Sequence, residues 1–449
     1  MEYKGIQKFM KIKILFAGLL TLALFTAAHA QTPDKAKLDQ FFDRLAEKNK
    51  AMGSLTVARD GNVLYSRAIG YRQINGTEKK PLTAATRYRV GSITKMFTAA
   101  LVFQLVEKGK LKLTDTLDKF FPQISNAKKI TIAHILAHRS GIHDLTDDRD
   151  YPTWKMNPKT QNEMLAIIAK GTPDFEPDAM YSYSNSGYVL LSYIVEKLTG
   201  KPYQEALKKR ITSKIGLKDT YLGTGYTDAS KNESFSYRYV GDWKQEIETH
   251  LSIPGGAGAI VSTPNDLTKF IQALFDLKLV TQESLASMMQ NKMGMQAYPL
   301  DGKTFYGHGG GIDGFGSWLA YLPEEKLAIA YTSNGKVYPV ANIVGGVFDI
   351  YQNKPFQIPA FETIEVSPEV LDKYVGVYSS PGVPVKFTVT RDGATLYVQP
   401  TGQSAAPLEA TAQDKFKIDP AGIVLEFDAA KNQMILKRRG REIVFTKEN

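Results

Sequence analysis

Two hairpins that stand far apart in the chain set the first limit on its fold. Ser54 to Val57 and Val63 to Ala68 alternate as strands around Asp60-Gly61, a dipeptide suited to a type I′ turn. Much later, Ser317 to Leu322 and Leu327 to Thr332 flank Pro323-Glu324-Glu325-Lys326. Between them the pattern is mostly helical, an amphipathic helix over 34–50 precedes the first hairpin, and a helix near 338–352 follows the second. This order predicts an α+β fold: one antiparallel sheet built from both ends of the segment, flanked by helices, with a separate helical lobe. A groove between the sheet and that lobe follows.

From about residue 370 the pattern becomes all-β, with strands at Val375 to Tyr378, Val385 to Thr390, Thr395 to Val398, Ile423 to Phe427 and Met434 to Lys437. The 449 residues are enough for two buried cores. The expected organisation is a signal peptide over 1–30, a main domain over 31–355, a Pro-containing linker over 356–365 and a small barrel-like β domain over 366–449. The signal peptide is read from Lys4, Lys8, Lys11 and Lys13, the apolar run Ile14 to Ala28, and Ala28-His29-Ala30 before Gln31. The run is short for a span and is broken by Gly18, Thr21 and Thr26, so stable membrane insertion is not expected once it is cleaved; an uncleaved anchor is the alternative. A periplasmic or secreted location is therefore expected.

The chain has no cysteine, which removes disulfides, thiol catalysis and Cys-ligated zinc. The net charge of +10 falls to +7 without the first thirty residues, which hold four lysines against Glu2. Basic and acidic residues interleave, and the dense run Lys437-Arg438-Arg439-Gly440-Arg441 sits at an expected β-turn, so no nucleic-acid partner is expected.

Three segments carry residues suited to chemistry. Gly91-Ser92-Ile93-Thr94-Lys95 opens a helix that stays apolar to Val106 and stops at Gly109. Ser92 and Lys95 share a face at its first turn, and burial would lower the lysine pKa until its amine accepts the serine proton. Alone, the pair reads as an N-cap and a lysine snorkelling to water. In Tyr181-Ser182-Tyr183-Ser184-Asn185, Tyr183 can shuttle a proton if a nearby cation lowers its pKa, and Asn185 can bond both Lys95 and a substrate amide. In Tyr306-Gly307-His308-Gly309-Gly310-Gly311, the glycines let a strand edge approach substrate closely and offer a backbone N–H to an oxyanion hole.

S-x-x-K, Y-x-N and H-x-G in this order resemble the serine β-lactamase-related family, which includes class C β-lactamases, D-Ala-D-Ala carboxypeptidases, D-aminopeptidases and esterases. The resemblance covers about residues 35–352, including Ile135-Leu136-Ala137-His138-Arg139-Ser140-Gly141-Ile142. It implies a β-lactamase/transpeptidase-like fold, Ser92 as acylated nucleophile, Lys95 as its base and Tyr183 as proton shuttle. It further implies that Asn185, His308, Gly309, Gly310 and Gly311 bind substrate, with the Ser92 and Gly311 amides as oxyanion hole. No metal or cofactor is implied.

His308 stands where the family's K-T-G lysine is found, which shifts the expectation from β-lactamase toward the aminopeptidase and esterase branches. Arg139 replaces the usual threonine. His134, His138 and His143 lack a carboxylate at metal-site spacing and read as packing or loop-stabilising residues, and Gly255-Gly256-Ala257-Gly258 reads as a turn facing the groove. The expected activity is acyl transfer through Ser92 on a small peptide, ester or β-lactam, with peptidoglycan as a candidate source. A β-lactamase or esterase and a non-catalytic penicillin-binding sensor are the alternatives.

Overall fold

The computed structural model describes residues 32–403, 405–418, 422–438 and 441–448. The expected signal segment lies outside the described residues, as do residues 439 and 440 of the basic turn. Among the described residues no helix is long and apolar enough to cross a membrane.

The two distant hairpins do share one sheet. Strands β1 (Ala51–Arg59), β2 (Asn62–Ile69), β3 (Gln296–Leu300), β4 (Lys303–Ile312), β5 (Phe315–Leu322) and β6 (Leu327–Lys336) run antiparallel in the order β3-β4-β5-β6-β1-β2. Asp60 and Gly61 both take positive φ, as a type I′ turn requires. β3 was not legible in advance, and of β4 only the strand edge at its glycines was, because the glycine run has low strand propensity and its register is set by pairing Gly309↔Trp318 to Gly311↔Gly316.

Period-two alternation assigns each face of the sheet. In β6, Leu327, Ile329 and Tyr331 join a core with α1 (Lys35–Glu47), while Ala328 and Ala330 join the core of the helical lobe. The axis of that lobe is α2 (Thr94–Glu107), buried on every side from Thr94 to Leu105. Beside it run α3 (Asn185–Thr199), the single turn α4 (Gly255–Gly258) and α5 (Pro264–Phe275), with Phe97 of α2 stacked on Phe270 of α5 at 3.6 Å. The expected plain turn at 255–258 is thus a turn of helix. The closing helix α6 (Val340–Tyr351) packs with α1 on the opposite face of the sheet.

Nine further strands form a second antiparallel sheet with its own core: β7 (Gly376–Ser380), β8 (Val383–Asp392), β9 (Thr395–Pro400), β10 (Ala406–Pro407), β11 (Glu409–Ala412), β12 (Lys415–Ile418), β13 (Ile423–Asp428), β14 (Gln433–Arg438) and β15 (Arg441–Lys447). Their order is β10-β9-β8-β7-β15-β14-β13-β12-β11, so only Leu408 separates the two end strands along the chain and the sheet is nearly closed. Arg438 and Arg441 pair across the basic turn. Phe361 belongs to the core on the α1 side of the main sheet, and Val366 to the core of the β domain. Buried Lys50 forms an ion pair with Glu409, joining the two bodies.

Removing the Phe97 ring should open a cavity in the middle of the helical lobe. Phe97→Ala is expected to cost about 3–5 kcal/mol, read as a lowered denaturant midpoint followed by near-UV circular dichroism.

Candidate active site

Ser92 sits one step before the helix, in the 3-10 turn Gly91–Ile93, rather than on the first turn of α2 itself. The turn is forced by crowding against β4. Gly91 takes φ +51, and a Cβ there would lie 2.8 Å from the Gly311 nitrogen; a Cβ on Gly310 would lie 2.1 Å from the Val90 carbonyl. These glycines therefore let β4 approach the serine turn. Of the run, Gly311 alone has open space where a side chain would be.

The Ser92 Oγ accepts hydrogen bonds from the Tyr183 Oη at 2.7 Å and the Lys95 Nζ at 3.2 Å. Lys95 is completely buried, and its Nζ also donates to Asn185 Oδ1 at 2.7 Å and to the Ala257 carbonyl at 2.8 Å. Burial lowers its pKa to about 7, partly opposed by the negative charge of Asp144. When the ammonium loses a proton, one contact must become a lone pair accepting from its neighbour. The contact to Ser92 is the longest, and Ser92 is the only one of the three with a proton to give.

Other residues hold this cluster in place. The Ala257 carbonyl is aimed by α4, where Thr98 donates to the Gly256 carbonyl at 2.6 Å and the Ile260 amide donates to Thr94 at 3.1 Å. Asp144 Oδ2 accepts from both the Asn185 backbone at 3.1 Å and its Nδ2 at 2.9 Å. The expected bond from Asn185 to a substrate amide therefore competes with Asp144. His138 stacks on Tyr183 with ring centroids 4.3 Å apart, and its Nδ1 accepts from the Ser184 amide. Burial drives its pKa down to about 2, so the ring packs as a neutral plate. Sequence reading missed Asp144 and the Ala257 carbonyl, whereas His138 takes a packing and loop-stabilising place of the kind expected for it. Only contacts made through the fold connect them to Ser92.

The tyrosine departs from expectation. Burial raises the Tyr183 pKa, outweighing the hydrogen bond to Ser92, so the phenol keeps its proton and acts as a donor. His308 lies beside it, with ring centroids 6.2 Å apart, and burial lowers its pKa to about 4. The imidazole is thus neutral near pH 7, unlike the lysine of a K-T-G motif. Arg139 faces outward and pairs with Asp178, with Nε–Oδ1 2.5 Å. His134 caps a short helix and His143 pairs with Asp174, so the three histidines face separate partners.

Beside Ser92 opens a cavity of about 250 Å³, whose lining includes Asn185, Gly311 and Lys155 but neither Tyr183 nor His308. A larger basic cleft of about 1090 Å³ runs past Lys201, Lys208 and Arg210 and contains none of these groups. The combination of a nucleophile, an amine titrating near neutrality and a protonated phenol is suited to acyl transfer.

Comparison with known proteins agrees with this chemistry. A family model described as Beta-lactamase matches residues 38–345. The chain is 27% identical over 445 residues to a penicillin-binding protein of Bacillus subtilis, covering 90% of this chain and 97% of that one. It is 23% identical over 401 residues to a D-alanyl-D-alanine carboxypeptidase/endopeptidase of Escherichia coli, covering 78% and 100%. Among solved structures, a D-amino acid amidase from Ochrobactrum anthropi complexed with D-phenylalanine superposes with a TM-score of 0.63 at 26% identity, covering 71% of this chain and 99% of that one.

The Lys95 pKa of about 7 lies below its ordinary 10.5, so the neutral amine accumulates as pH rises through 7. The rate at which a fluorophosphonate labels the protein should rise through that pH and then level off. Asp144→Asn removes the charge that raises the Lys95 pKa, so the inflection should move to lower pH. The unfolded chain holds the extra proton between about 7 and 10.5, so this group's contribution to stability rises with pH in that window.

Proposed function

The chain belongs to the beta-lactamase family, and from that premise we propose that it is an exported serine peptidase working through a Ser92 acyl-enzyme on amide bonds of D-amino-acid peptides. In type it would be a D-Ala-D-Ala carboxypeptidase or a D-aminopeptidase. Residues 31–355 would form the hydrolase domain and 366–449 a β domain beyond a linker at 356–365. The observation that carries the reading is the meeting of two donors on one oxygen, with Lys95 and Tyr183 both bonded to the Ser92 Oγ.

In the proposed mechanism the neutral Lys95 amine takes the Ser92 proton as the Oγ attacks the carbonyl. The amides of Ser92 and Gly311 stabilise the oxyanion, a type of contact worth about 10²–10³ in rate. Tyr183 gives its proton to the departing amine, and the resulting phenolate takes back the proton that Lys95 received from Ser92, which leaves the amine neutral again for deacylation. Water then enters against the same base and releases the acid product.

Two relatives carry D-alanyl-D-alanine or a D-amino acid amide in their names, which supports a D-configured acyl residue. Export is supported by the basic and apolar pattern of residues 4–30.

A fluorophosphonate or fluorescent penicillin should label the protein and fail to label Ser92→Ala; labelling that persists in the variant would refute the assignment. Tyr183→Phe should lower kcat on a D-aminoacyl amide by about 10²–10⁴. The loss should be far smaller on a p-nitrophenyl ester, whose phenolate leaves without a proton. An equal loss on both would contradict the role given to Tyr183.

A further inference from the structure

The cavity beside Ser92 holds a charged group that the mechanism above does not use. Tyr183 and His308 lie outside its lining, whereas Ser92, Asn185, Gly311 and Lys155 belong to it. A proton donor must face the leaving group. The cavity reaches Ser92 with neither Tyr183 nor His308 in its lining, and we assign it to the acyl part of the substrate.

At its wall, Lys155 Nζ meets Asp313 Oδ1 at 2.9 Å. Asp313 is itself saturated: its side chain is 1% exposed, Thr249 donates to it from Oγ1 at 2.8 Å and from its backbone amide at 2.8 Å, and Arg89 lies 3.9 Å away. Behind it, Arg89 pairs with Glu248 at 3.0 Å, and both are enclosed. Lys155 is a quarter exposed, the most accessible member of this ionic cluster. Its backbone is pinned by the His250 amide, which donates to the Lys155 carbonyl at 2.8 Å.

Among the described residues, Asp313 is the single acceptor that meets Nζ, so two of the three ammonium hydrogens are available to a ligand. A substrate ammonium placed here would face Lys155, and the Asp313 carboxylate is already bonded to Lys155 and Thr249. We infer that Lys155 is a specificity-determining residue, oriented by Asp313, and that the enzyme prefers acyl donors carrying a carboxylate on the acyl side of the scissile bond. This rests on Ser92 being the acylated residue. It narrows the substrate class to anionic acyl groups and so, of the two types proposed above, favours the carboxypeptidase over an aminopeptidase acting on a free ammonium.

Three p-nitroanilides of D-alanine test this with the full chain: N-succinyl, N-butyryl and N-β-alanyl, which end in a carboxylate, a methyl and an ammonium on chains of similar length. The expected order of kcat/KM is succinyl, then butyryl, then β-alanyl, with about ten-fold or more between the first two, as a charge-assisted hydrogen bond supplies. In Lys155→Met the succinyl-to-butyryl ratio should fall to near unity, and in Lys155→Arg it should persist. A ratio in the wild type that is near unity, or one that Lys155→Met leaves unchanged, overturns the inference.

A binding arm separates this from the assignment of the nucleophile. In Ser92→Ala, calorimetry with N-succinyl-D-alaninamide and N-butyryl-D-alaninamide should give the same preference. If the preference appears in binding while no p-nitroanilide is turned over, the peptidase reading fails and the anion site stands. If both ligands bind alike, the anion site fails.

Discussion

The active site is organised around the cost of burying one ammonium group. Moving such a charge out of water costs several kcal/mol even after relaxation, and a protein tolerates it only by supplying acceptors or by giving up the charge. Lys95 does both. Acceptors come from three separate parts of the chain, namely Ser92, Asn185 and the Ala257 carbonyl, while desolvation still brings the pKa to about 7. The short helix at 255–258, the start of the helix at Asn185 and the left-handed turn at Gly91 each serve to bring one of those acceptors within reach. The fold around the site is thus arranged to hold one nitrogen close to the point of losing its proton.

That arrangement divides the groove into two electrostatic halves. On the side of Tyr183, burial keeps the phenol protonated and both His138 and His308 neutral, so this flank presents rings and donors without fixed charge. On the side of Lys155, four ionic groups, Arg89, Glu248, Asp313 and Lys155, are locked together, with one cation turned toward the cavity. A substrate spanning Ser92 would meet different solvents on its two sides.

Much of this was legible in the sequence where local pattern decides structure. The turn dipeptide at Asp60-Gly61, the alternation through Leu327 to Thr332 and the uninterrupted apolar helix after Lys95 each specify their element from neighbours a few residues away, and each formed as expected. What was not legible depends on residues far apart in the chain. The strand containing Gly309 to Gly311 takes its register from a partner, not from propensity. Asp144 matters only because a helix beginning forty residues later turns Asn185 toward it. The condition set for Tyr183, a pKa lowered by a nearby cation, goes unmet for the same reason: the burial that raises it is a property of the packed structure.

The sheet order has a consequence for how the molecule comes into being. β1 is flanked by β2, its neighbour in sequence, and by β6, with Ala51 paired to Lys336. The hairpin at the start therefore lacks its second partner until nearly the whole hydrolase segment exists, and the long loop closure this entails places the molecule among slow-folding topologies. The β domain repeats the pattern on a smaller scale, since its first strand pairs with its last, Tyr378 with Lys447. A chain synthesised from its N-terminus would thus emerge with both sheets unfinished, and each is completed only by residues made late.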